Sequence, residues 1–221
     1  FALFAAGGAV PQQAELTGQI DGIGARPHLK ARDRSGEVLD DLDLPLGAGP
    51  EGQHRGALEF LVRWLHAHEA GWRIAAVGHR VVHGAERYSQ PIVLDDATLE
   101  ILRGFIPLAP LHQPHNLAGI DALRAHLPGV PQVACFDTAF HRTQSSLAQL
   151  FALPRRITAK GVRRYGFHGL SYEYIADVLP HHLRERADGK VVVAHLGNGA
   201  SMCAMEKRRS VATTMGFTAV E

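Results

Sequence analysis

The chain has 221 residues, of which 46% are hydrophobic, and a formal net charge of +1. A chain of this length buries about 70% of its unfolded surface, enough for one large domain or two modest ones without disulfide staples. Cys135 and Cys203 lie far apart in apolar runs, which argues against a disulfide scaffold or a cysteine zinc site, and Arg155, Arg156, Arg163 and Arg164 form a local basic cluster too narrow for a nucleic-acid face.

In chain order, FALF at 1–4 reads as a short buried strand, broken by Gly7, Gly8 and Pro11. Positions 15–50 hold short strand candidates that suit an antiparallel meander. Leu58, Leu61, Val62 and Leu65 fall at helical spacing and predict a helix over 56–70. An apolar strand follows over 74–82. Asp95 or Asp96 caps a helix running to about Arg103. Pro107, Pro110 and Pro114 make a rigid loop, after which Asn116 is the expected cap of a helix carrying Leu117, Ile120, Leu123 and Leu127. A buried strand at 132–136 ends on Asp137. A helix is expected over 145–150, and another capped by Ser171 with Tyr174, Ile175 and Val178 along it. Strands at 191–195 and 201–205 are joined by Gly197-Asn198-Gly199.

Strands and helices alternate through most of the chain, so the expected class is α/β, with mixed rather than purely parallel sheets. The domain boundary is expected between 139 and 154. No apolar run reaches the roughly 18 residues of a membrane span, and no signal peptide is visible. The chain opens on Phe1 inside a strand-like run and stops at Glu221 without a polar tail, so both ends read as cut.

Five segments could carry chemistry. In HLGNGAS, 195–201, a Gly-Asn-Gly turn lets backbone amides approach a phosphate, although an ordinary hairpin explains the turn alone; His195 and Ser201 beside it favour the phosphate. In GFHG, 166–169, His168 precedes a helix start where backbone donors point outward, against the simpler reading of a solvated loop histidine. In GHRVVHG, 78–84, Arg80 sits on an apolar strand and needs an anion, either a structural carboxylate or a ligand held by two N–H groups. In FDTAFH, 136–141, Asp137 ends a strand where open α/β sheets put active-site carboxylates, or it caps a turn with Thr138. In LAPLHQPHN, 108–116, prolines fix His112; zinc on His112 and His115 lacks the carboxylates or helical His pair that would support it, and no metal ligand is assigned. No GxxxxGK[ST] loop is present.

Taken together, GHRVVHG, LAPLH, FDTAFH, RRYGFHG, HLGNGAS and TTMGFT, in this order and spacing, resemble the acetate kinase family along essentially the whole chain. The resemblance implies the two-domain actin-like/sugar-kinase (ribonuclease H-like) fold, with 1–145 as an acyl-kinase domain lacking its first strand. It makes 146–221 the start of an incomplete nucleotide-binding domain. It implies reversible transfer of the γ-phosphoryl group of ATP to acetate, giving acetyl phosphate and ADP, with Mg2+ or Mn2+. A cytoplasmic homodimer with no nucleic-acid or membrane partner goes with it. By the same resemblance, Arg80, Asp137 and His168 are catalytic: Arg80 binds the carboxylate and the phosphoryl group, His168 stabilises that group in transit, and Asp137 is near the metal. His112 lines the site, and Val82, Leu111, Phe167 and Ala219 form the acyl pocket. His195, Gly197, Asn198 and Gly199 meet the ATP phosphates.

The sequence also departs from the family pattern. The first strand with its Asn- and Ser-rich phosphate turn, a second arginine and the adenosine pocket are not in it, so the 221 residues alone are expected to be inactive or nearly so. Ala219 stands for a pocket proline, Tyr172 for the His of GFHGTSH, Leu170 for its Thr, and Ala85 for a Gly. The smaller Ala219 leaves acetate against propionate or butyrate open. Other readings are a non-catalytic anion-binding module of the same fold, and a sugar kinase with Asp137 as base, against which the apolar pocket speaks.

Overall fold

The computed structural model describes residues 1–7, 13–45, 49–68 and 71–219. Gly8, Pro11, the expected helix end at 69–70, and Val220 and Glu221 lie outside the described residues. The chain forms two compact units.

The first unit comprises Phe1–Ala75 and Ala118–Val130. Strands β1 (Ala2–Leu3), β2 (Leu16–Asp21), β3 (His28–Asp33) and β4 (Val38–Asp43) make the expected antiparallel meander in sequential order. Helix α1 (Pro50–Ala67) starts earlier than the apolar spacing predicts, because Pro50 fits a first helical turn, where an amide N–H has no partner to lose. Leu16, Leu29, Ala31 and Leu44 of the meander pack with Trp64 and Leu65 of α1 as this unit's core. The Trp64 indole N–H donates to Asp40 Oδ2 at 2.6 Å, so its one polar atom is satisfied.

The second unit comprises Ala76–Leu117 and Pro131–Glu221. Its first sheet has the order β5 (Val77–Val81), β7 (Gln132–Phe136), β6 (Ile92–Val93); β5 and β7 are parallel and β6 is antiparallel to β7. Helix α2 (Asp96–Arg103) is capped as expected: Asp95 Oδ1 accepts the Thr98 N–H at 2.7 Å. Helix α3 (Gln113–His126) begins in this unit and starts three residues before Asn116, with Pro114 in its first turn. Asn116 is therefore not the cap; its Oδ1 accepts the Val82 N–H at 2.9 Å and ties off the end of β5.

The helix expected over 145–150 is a single turn closed by Gln149 N–H to Ser145 O at 3.2 Å. Gln149 is engaged elsewhere, its carbonyl by the Arg164 N–H at 2.8 Å and its amide by Gln144 O at 2.8 Å, so the turn does not propagate. A four-residue helix, α4 (Arg155–Thr158), follows Pro154. Helix α5 (Gly169–Leu183) starts two residues before Ser171, so Ser171 lies in its first turn and His168 holds the cap position.

The unit ends in a second antiparallel meander, β8 (Lys190–Leu196), β9 (Ala200–Glu206) and β10 (Arg209–Thr213). The last strand escapes a reading of turn residues. Lys207 and Arg208 take φ of 52° and 60° in a two-residue hairpin loop that ordinarily advertises itself with Asn-Gly. The mixed α/β class expected from the sequence is the class found. Among the described residues no helix is long and apolar enough to cross a membrane.

Candidate active site

Two parallel strands place the first pair of charges. Arg80 is on β5 and Asp137 directly follows β7, whose ladder is extended by the Asp137 N–H to Val81 O at 3.0 Å. The carboxylate is only 2% exposed and is held by a fork from Arg80: Nη2 to Oδ2 at 2.7 Å, and Nε to Oδ2 and Oδ1 at 3.0 and 3.1 Å. The guanidinium stays 64% exposed, anchored at one edge and open to a cleft on the rest. Hydrogen bonding to Asp137 raises the Arg80 pKa further, so its charge is permanent. Of the two partners the sequence allowed for Arg80, the structural carboxylate is present, and the exposed remainder leaves room for an anion as well.

The GFHG loop is fixed from behind. Gly169 N–H donates to the Asp137 carbonyl at 2.8 Å, and a Cβ at Gly169 would overlap that oxygen, so only glycine permits this approach. His141, buried, donates from Nε2 to Phe167 O at 2.9 Å and accepts from the Ser210 hydroxyl at Nδ1 at 2.8 Å. Burial lowers its pKa from the ordinary 6.5 to about 4, so it is a neutral brace. Between these holds His168 adopts φ 58° and ψ 21°, a left-handed conformation uncommon outside glycine.

The HLGNGAS segment supplies the facing side. Gly197 N–H to Gly199 O at 3.2 Å closes the tight turn between β8 and β9. The His195 ring stacks on His168 with centroids 4.0 Å apart, and its Nδ1 meets Ser171 Oγ at 3.0 Å. Ser201 Oγ meets His168 Nδ1 at 2.9 Å. Partial burial, and next the neighbouring His195, lower the His168 pKa, so the neutral imidazole is the form at neutral pH.

These groups line one cleft of about 680 Å³. Arg80, Asp137, His168, His195, Asn198 and Gly199 form its polar side. Val82, Phe167, Met215 and Ala219 form an apolar wall, and His112 and Asn116 complete the rim. The wall is stitched to the GFHG loop by Tyr165 N–H to Gly216 O at 2.7 Å, and Arg164 Nη2 donates to Thr213 O at 3.0 Å. Two expected residues stand apart: Leu111 is 70% exposed and outside the lining, and Gly197 shapes the turn without lining the cleft. Asn116 and Met215 line it although the sequence reading assigned them no such part. Asn116 looked like a cap because it is followed by helical spacing, and Met215 sits inside TTMGFT with nothing in its residue type to mark it.

Among the described residues no group of three or more His, Cys, Asp or Glu side chains is arranged to hold a metal ion. Among the described residues Asp137 is the one carboxylate in the lining, and both its oxygens are already bonded to Arg80.

The fold matches acetate and propionate kinases of known structure. A propionate kinase from Francisella tularensis superposes with a TM-score of 0.82 at 33% identity, covering 94% of this chain and 52% of that one. The acetate kinase of Porphyromonas gingivalis gives 0.80 at 36% identity, covering 96% and 54%. In sequence, an acetate kinase from Nitrobacter hamburgensis is 48% identical over all 221 residues, which span 54% of its length. The acetokinase family model matches residues 43–221, and the chain belongs to that family. It spans about half the length of the curated relatives it matches.

Proposed function

We propose that the complete protein is a short-chain acyl kinase that reversibly transfers the γ-phosphoryl group of ATP to acetate, giving acetyl phosphate and ADP. The observation that carries this reading is the cleft itself, in which a permanently charged guanidinium and a neutral histidine face an apolar wall built by Val82, Phe167, Met215 and Ala219.

The acceptor is already a nucleophile. A carboxylate oxygen attacks the γ-phosphorus, the bond to the β,γ-bridging oxygen breaks, and that electron pair leaves with ADP. No strong base is required, so positioning and charge neutralisation carry the catalysis. Arg80 holds the acceptor carboxylate and the equatorial phosphoryl oxygens, with Asp137 fixing the plane of its fork. His168, neutral, donates an N–H to the phosphoryl group as charge gathers on it. His195 and the amides of Gly197, Asn198 and Gly199 meet the nucleotide phosphates. Bound Mg2+ or Mn2+ would neutralise phosphate charge. His112 closes the rim, and Leu111 enters only with a change of loop position.

In the complete protein, 1–145 and 146–221 are proposed to belong to different domains, and the assembly is proposed to be a cytoplasmic homodimer. Propionate is the second acceptor to consider, because Ala219 takes little space in the wall and a propionate kinase is among the similar structures. The test is acyl hydroxamate formation by the complete protein with ATP, Mg2+ and hydroxylamine. Acetate or propionate should give hydroxamate, and their ratio of kcat/KM ranks the acceptors. Binding of carboxylate without any hydroxamate would instead support the non-catalytic anion-binding module. Turnover of sugars alone would support the sugar-kinase reading.

A further inference from the structure

Behind His168 lies a chain of hydrogen bonds that the reaction outlined above does not use. Tyr172 is fully buried on the first turns of α5, one helical turn beyond His168. Its phenol oxygen is 2.5 Å from Ser201 Oγ on β9, and Ser201 Oγ is 2.9 Å from His168 Nδ1. A phenol is a better proton donor than an aliphatic hydroxyl, so in this buried pair Tyr172 donates to Ser201 Oγ. Having accepted from Tyr172, the Ser201 hydroxyl donates to His168 Nδ1. With Nδ1 an acceptor, the single ring proton of neutral His168 resides on Nε2, the atom beside Gly199 in the cleft lining.

We propose that Tyr172 and Ser201 are positioning residues that hold His168 in the Nε2–H tautomer and aim that proton at the transferring phosphoryl group. The direction of the chain matters because a reversed one, with His168 Nδ1–H donating to Ser201, would turn a lone pair toward an anion. The left-handed backbone at His168 makes the same demand from the other side: a strained residue keeps one ring orientation only when its surroundings hold it there. Tyr172 occupies the position where the resembling motif has histidine, so this chain anchors the relay with a phenol of its own.

The proposal rests on the acyl-kinase reading for its kinetic effect but not for its structural one, and the two are measured separately. In the complete protein labelled with 15N-histidine, His168 should show a protonated Nε2 and an unprotonated Nδ1. In Tyr172→Phe, which removes one oxygen and keeps the ring, these signals should move toward a mixture of tautomers. If the kinase reading holds, kcat should fall about five- to tenfold, the worth of one hydrogen bond, with KM for the carboxylate little changed. Ser201→Ala should cost at least as much, and the double variant no more than Ser201→Ala alone, because the chain is cut once. Unchanged histidine signals in Tyr172→Phe, or fully additive losses in the double variant, would overturn the relay. So would a fall in activity that tracks only a raised KM and a lowered unfolding midpoint, the signature of a purely structural tyrosine. Absence of any acyl phosphate in the wild type would overturn the kinase reading while leaving the tautomer result standing.

Discussion

Gly169→Ala is a one-carbon change with a calculable reach. The added Cβ would overlap the carbonyl oxygen of Asp137, a backbone atom that cannot swing aside as a side chain would. The start of α5 would have to retreat by about 1 Å to restore ordinary contact. That displacement breaks the 2.8 Å bond from Gly169 N–H to Asp137 O and carries His168, the adjoining residue, with it. Overpacking of this kind costs about 1–3 kcal/mol and the lost bond about 1 kcal/mol more. A 1 Å misplacement of a group that stabilises a transition state costs on the order of 10²-fold in rate. The expected result in the complete protein is a lowered urea midpoint and a kcat for hydroxamate formation down about 10²-fold. Gly119→Ala is the control: a Cβ on that helical glycine meets nothing within 4 Å, so it should stabilise by about 0.5–1 kcal/mol with activity unchanged. Wild-type stability and kcat in Gly169→Ala would refute the packing argument, because they would mean the helix start and the Asp137 carbonyl are not in contact.

Three further outcomes are expected. His83 and His141 are buried with pKa lowered from 6.5 to about 4, so their contribution is intact above pH 6.5 and is lost as pH falls from there toward 4. Each shift corresponds to about 3 kcal/mol when complete. Urea midpoints should drop steeply through this window, and His141→Gln, which keeps a donor for Phe167 O, should flatten the slope; an equal slope in the variant would count against it. Asp137→Asn removes the charge that orients Arg80, and should lower kcat by roughly 10²-fold or more in the hydroxamate assay while costing about 1–3 kcal/mol in urea unfolding. Ala85 is held at φ 50°, a left-handed conformation that a Cβ disfavours, so Ala85→Gly should raise the urea midpoint by an amount equal to about 1 kcal/mol; a lowered midpoint would show that the Ala85 methyl packs better than its strain costs.

Much of the fold was legible in the sequence because its signals are local. Asp95 caps α2 through a side chain three residues from its partner, and the apolar run at 132–136 is β7 itself. The polar centre was legible as well, since Arg80 on an apolar strand needs an anion wherever the fold puts one. What was hidden depends on contacts distant in sequence. Asn116 reads as a helix cap until Val82, 34 residues away, claims its oxygen. Ser171 reads as the cap of α5, but His168 takes that position through a backbone conformation that no residue type predicts. The hairpin before β10 turns on Lys207 and Arg208 in place of glycine. Leu111 has the chemistry of a pocket residue, yet in the turn after Pro110 it is exposed and outside the cleft lining.

The most direct test of the central claim is 31P NMR of the complete protein incubated with ATP, Mg2+ and acetate, for the wild type and for His168→Ala. Acetyl phosphate and ADP should accumulate together with the wild type, and the variant should form acetyl phosphate slower by about 10²-fold or more, the cost of losing a transition-state hydrogen-bond donor. Acetyl phosphate formed equally fast by both would contradict the role given to His168, and none formed by the wild type with any short carboxylate would contradict the acyl-kinase account altogether.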